Sequence, residues 1–206
     1  QLNEKMMKEE RVYIKNGELT IESLLSVSGG KKGVVICHPH PLMGGSMYNN
    51  VVEAIQEAYA AKKYATLKFN FRGVGGSTGC YDDGRGEQED IIAAVKYLQD
   101  VGISETAIAG YSFGAWVAAK VVERFDDLFS NVAFISPPVN LYDFNWPQLI
   151  NKINVIVCGN DDQFCDVHLL QEKTKNIAAN LKIISAADHF YFGQEKDLIN
   201  ALRELL

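Results

Sequence analysis

Three side chains suited to acyl chemistry follow one another along the chain: Ser112, an aspartate at 161 or 162, and His189. A serine hydroxyl is a poor nucleophile until a base takes its proton. An imidazole base in turn needs a third group to orient its ring and stabilise its charge. Ser112 is the centre of Gly110-Tyr111-Ser112-Phe113-Gly114. The short segment Thr106–Ala109 before it reads as a strand, and Ala115–Val122 after it reads as a helix. A strand, a tight turn and a helix with serine at the apex are the setting in which G-x-S-x-G makes a nucleophile elbow. Glycine two residues before and after leaves room where a side chain would clash. The spacing Gly159-x-x-Asp162 lets the chain turn before the carboxylate heads back toward the histidine, which favours Asp162 over Asp161. The oxyanion of an acyl-transfer intermediate needs two backbone N–H donors. Phe113, next to the nucleophile, is one. The other comes from the loop after Gly33–Cys37, where Pro39 and Pro41 have no N–H. His40 and Leu42 remain, and His40 is favoured.

The positions of these residues depend on the elements around them. Arg11–Ile14 and Glu18–Val27 read as strands joined at Asn16-Gly17, an edge hairpin with one wet face carrying Glu18, Thr20 and Glu22. Gly33–Cys37 is a continuous apolar run, as expected of a strand buried on both faces. Asn49 or Asn50 caps a helix over Val51–Lys62, and a strand spans Tyr64–Phe71. A helix is expected over Glu87–Asp100, then strands at Asn131–Ser136 and Ile153–Cys158. A helix over Asp166–Asn180, a strand at Leu181–Ser185 and an amphipathic helix from Gln194 to Leu206 complete the chain. Alternating strands and helices from residue 33 onward predict an α/β fold: a doubly wound, mainly parallel sheet with an N-terminal antiparallel hairpin. In such sheets ligands sit beyond the carboxyl ends of the strands, where Ser112, the aspartate and His189 all fall.

Two other patterns invite different chemistry. His38-x-His40 has the look of a metal pair, but no Cys or carboxylate cluster follows it, and His38 reads better as a loop-bonding side chain. The glycine-rich Arg72–Gly79 loop departs from G-x-G-x-x-G, since the last position counted from Gly73 is Thr78. It is expected to pack beneath the site loops, with Arg72 tying them together.

Four stretches together resemble the small, lidless bacterial α/β-hydrolases of the dienelactone-hydrolase-like branch. They are His38-Pro39-His40-Pro41-Leu42-Met43-Gly44-Gly45, Phe69-Asn70-Phe71-Arg72-Gly73-Val74-Gly75-x-Ser77, Gly110–Ala115 and Asp188-His189-Phe190. The resemblance runs from around Arg11 to the end of the chain. It implies an α/β-hydrolase fold without a cap domain, with Ser112 as nucleophile, Asp162 as acid and His189 as base. Dienelactone hydrolases proper use a cysteine nucleophile where this chain has serine, so lactone specificity is not carried over. In this fold a lid commonly enters between the strands that end near Ser136 and begin near Ile153. Here Pro137–Lys152 is long enough only for a wall or one helical turn, with Tyr142, Phe144 and Trp146 as candidate lining.

An open site of this kind suits a serine hydrolase, a carboxylesterase for small or short-chain acyl esters, needing no cofactor. Acyl transfer, peptide or thioester cleavage would use the same triad, and a non-enzymatic binding module would use the same fold. A net charge of −6 argues against nucleic acid or an anionic membrane as main partner. No run of 18 apolar residues suggests a span. Cys37, Cys80, Cys158 and Cys165 form no CxxC pair, and a cytoplasmic monomer or homodimer is expected. The 206 residues read as one domain behind a loosely ordered segment, Gln1–Glu10.

Overall fold

The computed structural model describes residues 8–125 and 127–206; Gln1–Met7, most of the segment expected to be loosely ordered, lie outside them. Eight strands form one sheet: β1 (Glu10–Asn16), β2 (Leu19–Ser26), β3 (Lys32–Cys37), β4 (Ala65–Phe69), β5 (Glu105–Tyr111), β6 (Asn131–Ile135), β7 (Val155–Gly159) and β8 (Asn180–Ile184). Their order is β1-β2-β4-β3-β5-β6-β7-β8. β1 and β2 pair antiparallel, as do β2 and β4, and every other pair is parallel. The helices are α1 (Asn50–Ala61), α2 (Arg85–Asp100), α3 (Phe113–Arg124), α4 (Trp146–Leu149), α5 (Val167–Thr174) and α6 (Glu195–Leu205). None is long and apolar enough to cross a membrane.

The continuous apolar runs follow from a sheet covered on both sides. In β3, Val35 and Cys37 join the core beneath α2 and α3, while Val34 and Ile36 join the core beneath α1 and α6. Each such side chain contributes about 1.5–3 kcal/mol by leaving water. No polar position is tolerated on either face, so the alternation of a one-sided strand is absent from this stretch.

The hairpin departs from expectation. β1 is the edge, and β2 lies between β1 and β4, so Ile21–Ser26 are all buried. Glu22, expected in water, is 5% exposed. Its carboxylate is stabilised by the Arg11 guanidinium, by Asn70 Nδ2 at 2.8 Å and by the Gly76 N–H at 2.7 Å. Asn70 Oδ1 then accepts from the Met47 N–H at 2.9 Å, so this buried acid braces the loop after β3 through one intermediary. Arg72 grips Asp90 of α2 through Nε and Nη2, which fixes the glycine-rich loop beneath the site.

Two helix ends also differ. α2 begins at Arg85, ahead of Glu87, because the Glu87 carboxylate reaches back to the N–H groups of Asp82 and Gly84 at 2.9 and 2.8 Å. α5 stops at Thr174, well short of Asn180, whose N–H pairs with Asn154 O as β8 joins β7. Between β6 and β7 the only helix is the four-residue α4, so no cap domain stands over the strand ends.

Candidate active site

β5 delivers Ser112 through a strained turn. Its backbone has φ 55° and ψ −121°, a region that costs a non-glycine residue roughly 1–3 kcal/mol. The surroundings hold it there: Ser112 N–H donates to Ile135 O at 3.0 Å, and Ser112 O accepts from Ala115 N–H at 2.9 Å. A side chain at Gly110 would strike Gly114 O and Ala115, and one at Gly114 would strike the carbonyls of Cys37 and His38. The second clash shows that the first turn of α3 lies directly against the loop after β3.

β7 and β8 bring the partners. Ser112 Oγ lies 2.9 Å from His189 Nε2. His189 Nδ1 lies 2.8 and 2.9 Å from the two Asp162 oxygens, and its proton is donated there. Asp162 Oδ1 also accepts from the N–H groups of Phe164 and Cys165, both at 2.9 Å. Burial pushes the Asp162 carboxyl up. The bonds from His189 and the Phe164 N–H, with the His189 charge, outweigh it and hold the group below its ordinary value. Asp161 is exposed and gives only its N–H, to Ala187 O. The imidazole is positioned from behind by Tyr111 Oη, which donates to His189 O at 2.8 Å, and it is flanked by the rings of Phe164 and Phe190.

The loop after β3 supplies the opposite wall. The Leu42 N–H is already committed to His40 Nδ1 at 3.2 Å. Neither the His40 N–H nor the Phe113 N–H meets an acceptor among the described residues. Two free backbone donors thus flank the serine, and of the two alternatives read from sequence His40 is the uncommitted one. Because His40 Nδ1 accepts, the ring proton sits on Nε2, which points at Tyr81 Oη at 3.2 Å. Burial lowers the His40 pKa, against a weaker upward pull from Asp83, so the neutral form prevails.

His38 binds backbone on both sides. Its Nδ1 donates to Pro39 O at 2.6 Å and its Nε2 accepts from Phe71 N–H at 3.0 Å, so neither nitrogen is available to a metal. Burial, against the pull of the Pro39 bond, drives its pKa from 6.5 down to about 4. An unfolded chain would take up this proton as pH falls through 6.5, whereas the fold resists it down to about 4. The stability tied to the neutral ring is complete above the first value and lost toward the second. At about 1.4 kcal/mol per unit, the loss is on the order of 3 kcal/mol. Thermal unfolding followed from pH 7 to 4 should show this fall. In His38→Asn the protein should be weaker at pH 7, with a flatter slope.

A cavity of about 420 Å³ opens over Ser112, with His40, Met43, Leu141, Tyr142, Phe164 and Phe190 in its wall. No lysine, arginine, aspartate or glutamate lines it among the described residues. Of the three aromatics named from sequence, only Tyr142 is in the wall, stacked on Trp116 with ring centroids 4.5 Å apart. Phe144 is buried against Phe134 and stacks on Trp146, so both cover the core instead. Phe164 and Phe190 were missed, although each lies within two residues of Asp162 or His189.

A family model described as the alpha/beta hydrolase fold matches residues 33–164. The uncharacterized protein RP471 of Rickettsia prowazekii (strain Madrid E) is 35% identical over 184 residues, covering 84% of this chain and 77% of that protein. An alpha-beta serine hydrolase homologue from Coxiella burnetii superposes with a TM-score of 0.87 at 31% identity, over 97% of this chain and 98% of the other. XC6422 from Xanthomonas campestris, an a/b serine hydrolase without lid, shares the fold with a TM-score of 0.83 at 22% identity, over 96% of this chain and 93% of that one. By fold the protein is a hydrolase, and the chain belongs to the α/β-hydrolase fold family.

Proposed function

We propose that the protein is a carboxylic ester hydrolase that works through an acyl-enzyme on Ser112. The observation that carries this reading is the continuous path from Ser112 Oγ to His189 Nε2 at 2.9 Å and from His189 Nδ1 to Asp162 at 2.8 Å, beside two free N–H groups. His189 takes the serine proton as Oγ attacks the ester carbonyl. The oxygen turns anionic and takes the free N–H groups of His40 and Phe113 as its donors, and their bonds strengthen as charge develops. The imidazolium, held by Asp162, returns the proton to the departing alcohol. A water then repeats the sequence on the acyl-enzyme and frees the acid. No step calls on a cofactor.

The wall supports a neutral, small acyl group. An apolar cavity without a fixed cation gives a substrate carboxylate nothing to pair with, and desolvating that charge would be costly. The proposal includes a small-molecule ester as the partner, with no role for nucleic acid or membrane. A monomer or homodimer in the cytoplasm fits four cysteines without disulfides, three of them buried.

A fluorophosphonate probe should label the protein in proportion to active sites. In a series of p-nitrophenyl esters, kcat/KM should be highest for acetyl and butyryl and at least tenfold lower for palmitoyl. Faster hydrolysis of the long chain would defeat the short-chain reading, and absence of labelling would defeat the enzyme reading.

A further inference from the structure

His189 is followed by Phe190, Tyr191 and Phe192, and the three rings take different directions. Tyr191 is fully buried, with its Oη 2.8 Å from Ser136 Oγ. Phe190 is 41% exposed and Phe192 is 74% exposed. Tyr191 has φ 55°, a left-handed backbone that turns the chain between the two phenylalanines. Their rings stack, with centroids 6.0 Å apart and planes at 17°. The main chain that carries them is fixed. Phe190 and Tyr191 N–H donate to Asp188 Oδ1 at 2.9 and 3.0 Å. Phe190 O accepts from Asn50 Nδ2 at 3.0 Å, and Tyr191 O accepts from Gln194 N–H at 2.9 Å. Two aromatic rings held largely in water on a strained turn add little to the core, which points to a use at the surface.

The pair begins at the base. The Phe190 ring centroid lies 5.6 Å from that of His189. Phe190 lines the cavity, and Phe192 stacks on it without being part of the wall. In ester cleavage His189 Nε2 passes the proton taken from Ser112 to the alkoxy oxygen. The bond from that oxygen to the carbonyl carbon breaks, the alcohol leaves neutral, and the acyl group stays on Ser112. The alkoxy oxygen must therefore come within about 3 Å of Nε2. The alcohol half departs on the histidine side, and with the acyl group in the cavity its way out runs over Phe190 toward Phe192.

We propose that Phe190 and Phe192 form a ledge for the alcohol half of the ester, and that this half carries an uncharged aromatic ring. The proposal rests on the esterase reading given above, with His189 as its base. A flat ring meets the two phenyl rings in offset or edge-on geometry, which adds to plain contact area; a saturated ring of the same size has the area alone. Charge argues against an anionic alcohol. The Asp188 carboxylate bonds the Phe190 N–H, and the Glu195 carboxylate shares Asn50 Nδ2 with Phe190 O, so two negative groups stand beside the turn.

The test compares kcat/KM for benzyl acetate and cyclohexylmethyl acetate, whose alcohols are matched in size and close in acidity. The parent should prefer the benzyl ester about three- to tenfold, the scale of an aromatic pair. In Phe190→Leu, which keeps apolar bulk without a ring, the ratio should fall to within about twofold of one. Phe192→Leu should lower it about two- to threefold, and Phe192→Tyr, which keeps the ring, should leave it as in the parent. Thermal unfolding identifies the folded variants; if Phe190→Leu does not fold, the Phe192 pair decides. A parent ratio near one would overturn the proposal, and so would an equal ratio in Phe192→Leu and Phe192→Tyr. A Phe192→Leu protein that changes its sedimentation mass while keeping the parent ratio would instead assign the pair to contact between two copies. Benzyl alcohol, titrated into the parent and followed through the NMR signals of the Phe190 and Phe192 rings, reads the ledge without turnover. It should shift both rings more than cyclohexylmethanol does, and equal or absent shifts would overturn the proposal. If the parent neither labels nor turns over any ester, the esterase reading fails by itself, and the NMR titration still decides whether the ledge takes an aromatic alcohol.

Discussion

Ser112→Ala will remove fluorophosphonate labelling and lower ester turnover about a million-fold, the scale seen when a serine nucleophile of this kind is deleted. The change takes away one oxygen, which bonds His189 Nε2. It leaves the backbone bonds of the elbow, from Ser112 N–H to Ile135 O and from Ala115 N–H to Ser112 O, untouched. Alanine meets the same cost at φ 55° as serine does, so stability should change by less than about 1 kcal/mol. The measurement pairs labelling with a melting curve. A folded Ser112→Ala protein that still takes the probe would mean that another residue is the nucleophile.

Asp162→Asn should cost about 10,000-fold in kcat, and the local bonds explain why the loss exceeds that of a missing charge. The N–H groups of Phe164 and Cys165 both point at Oδ1. An asparagine would turn its carbonyl oxygen toward these donors, and its NH2 would occupy the Oδ2 position, 2.9 Å from His189 Nδ1. A donor there forces Nδ1 to accept and moves the ring proton to Nε2. The base would then face Ser112 with a proton already in place. Labelling should slow in parallel with turnover while the melting temperature changes little. A loss below tenfold would show that Asp162 does not orient the base.

The parts of this molecule legible in its sequence are those governed by local pattern. The apolar run at 33–37 reads as a strand covered on both faces, and Ser112 stood out through its flanking glycines, the strand and helix around it, and an aspartate and a histidine following in order at later strand ends. Asp162 and His189 were legible because each follows a strand and their order is constrained by the fold. Glu22 was not, because its alternation with Glu18 and Thr20 is that of a wet face. Its partners Arg11, Asn70 and Gly76 come from three separate segments. Phe144 and Trp146 looked like lining because an aromatic near a site has the same local signature as an aromatic over a core. Which of them faces the cavity depends on how Pro137–Lys152 folds over α3. The meeting of Ser136 and Tyr191 joins residues 55 apart and has no local sign. His40 was favoured over Leu42 as a donor without a physical reason to separate them, and that reason lies in the fold, where the Leu42 N–H is spent on the His40 ring.

The two free N–H groups beside Ser112 belong to the main chain, and this divides the protein's freedom to change. Almost no replacement at 40 or 113 deletes such a donor; proline alone lacks one. The surfaces that would grip an acyl group are the side chains of Met43, Leu141, Tyr142, Phe164 and Phe190. Descendants of this sequence could therefore exchange one substrate for another through single substitutions in the wall, while the two main-chain donors pass unaltered from one to the next.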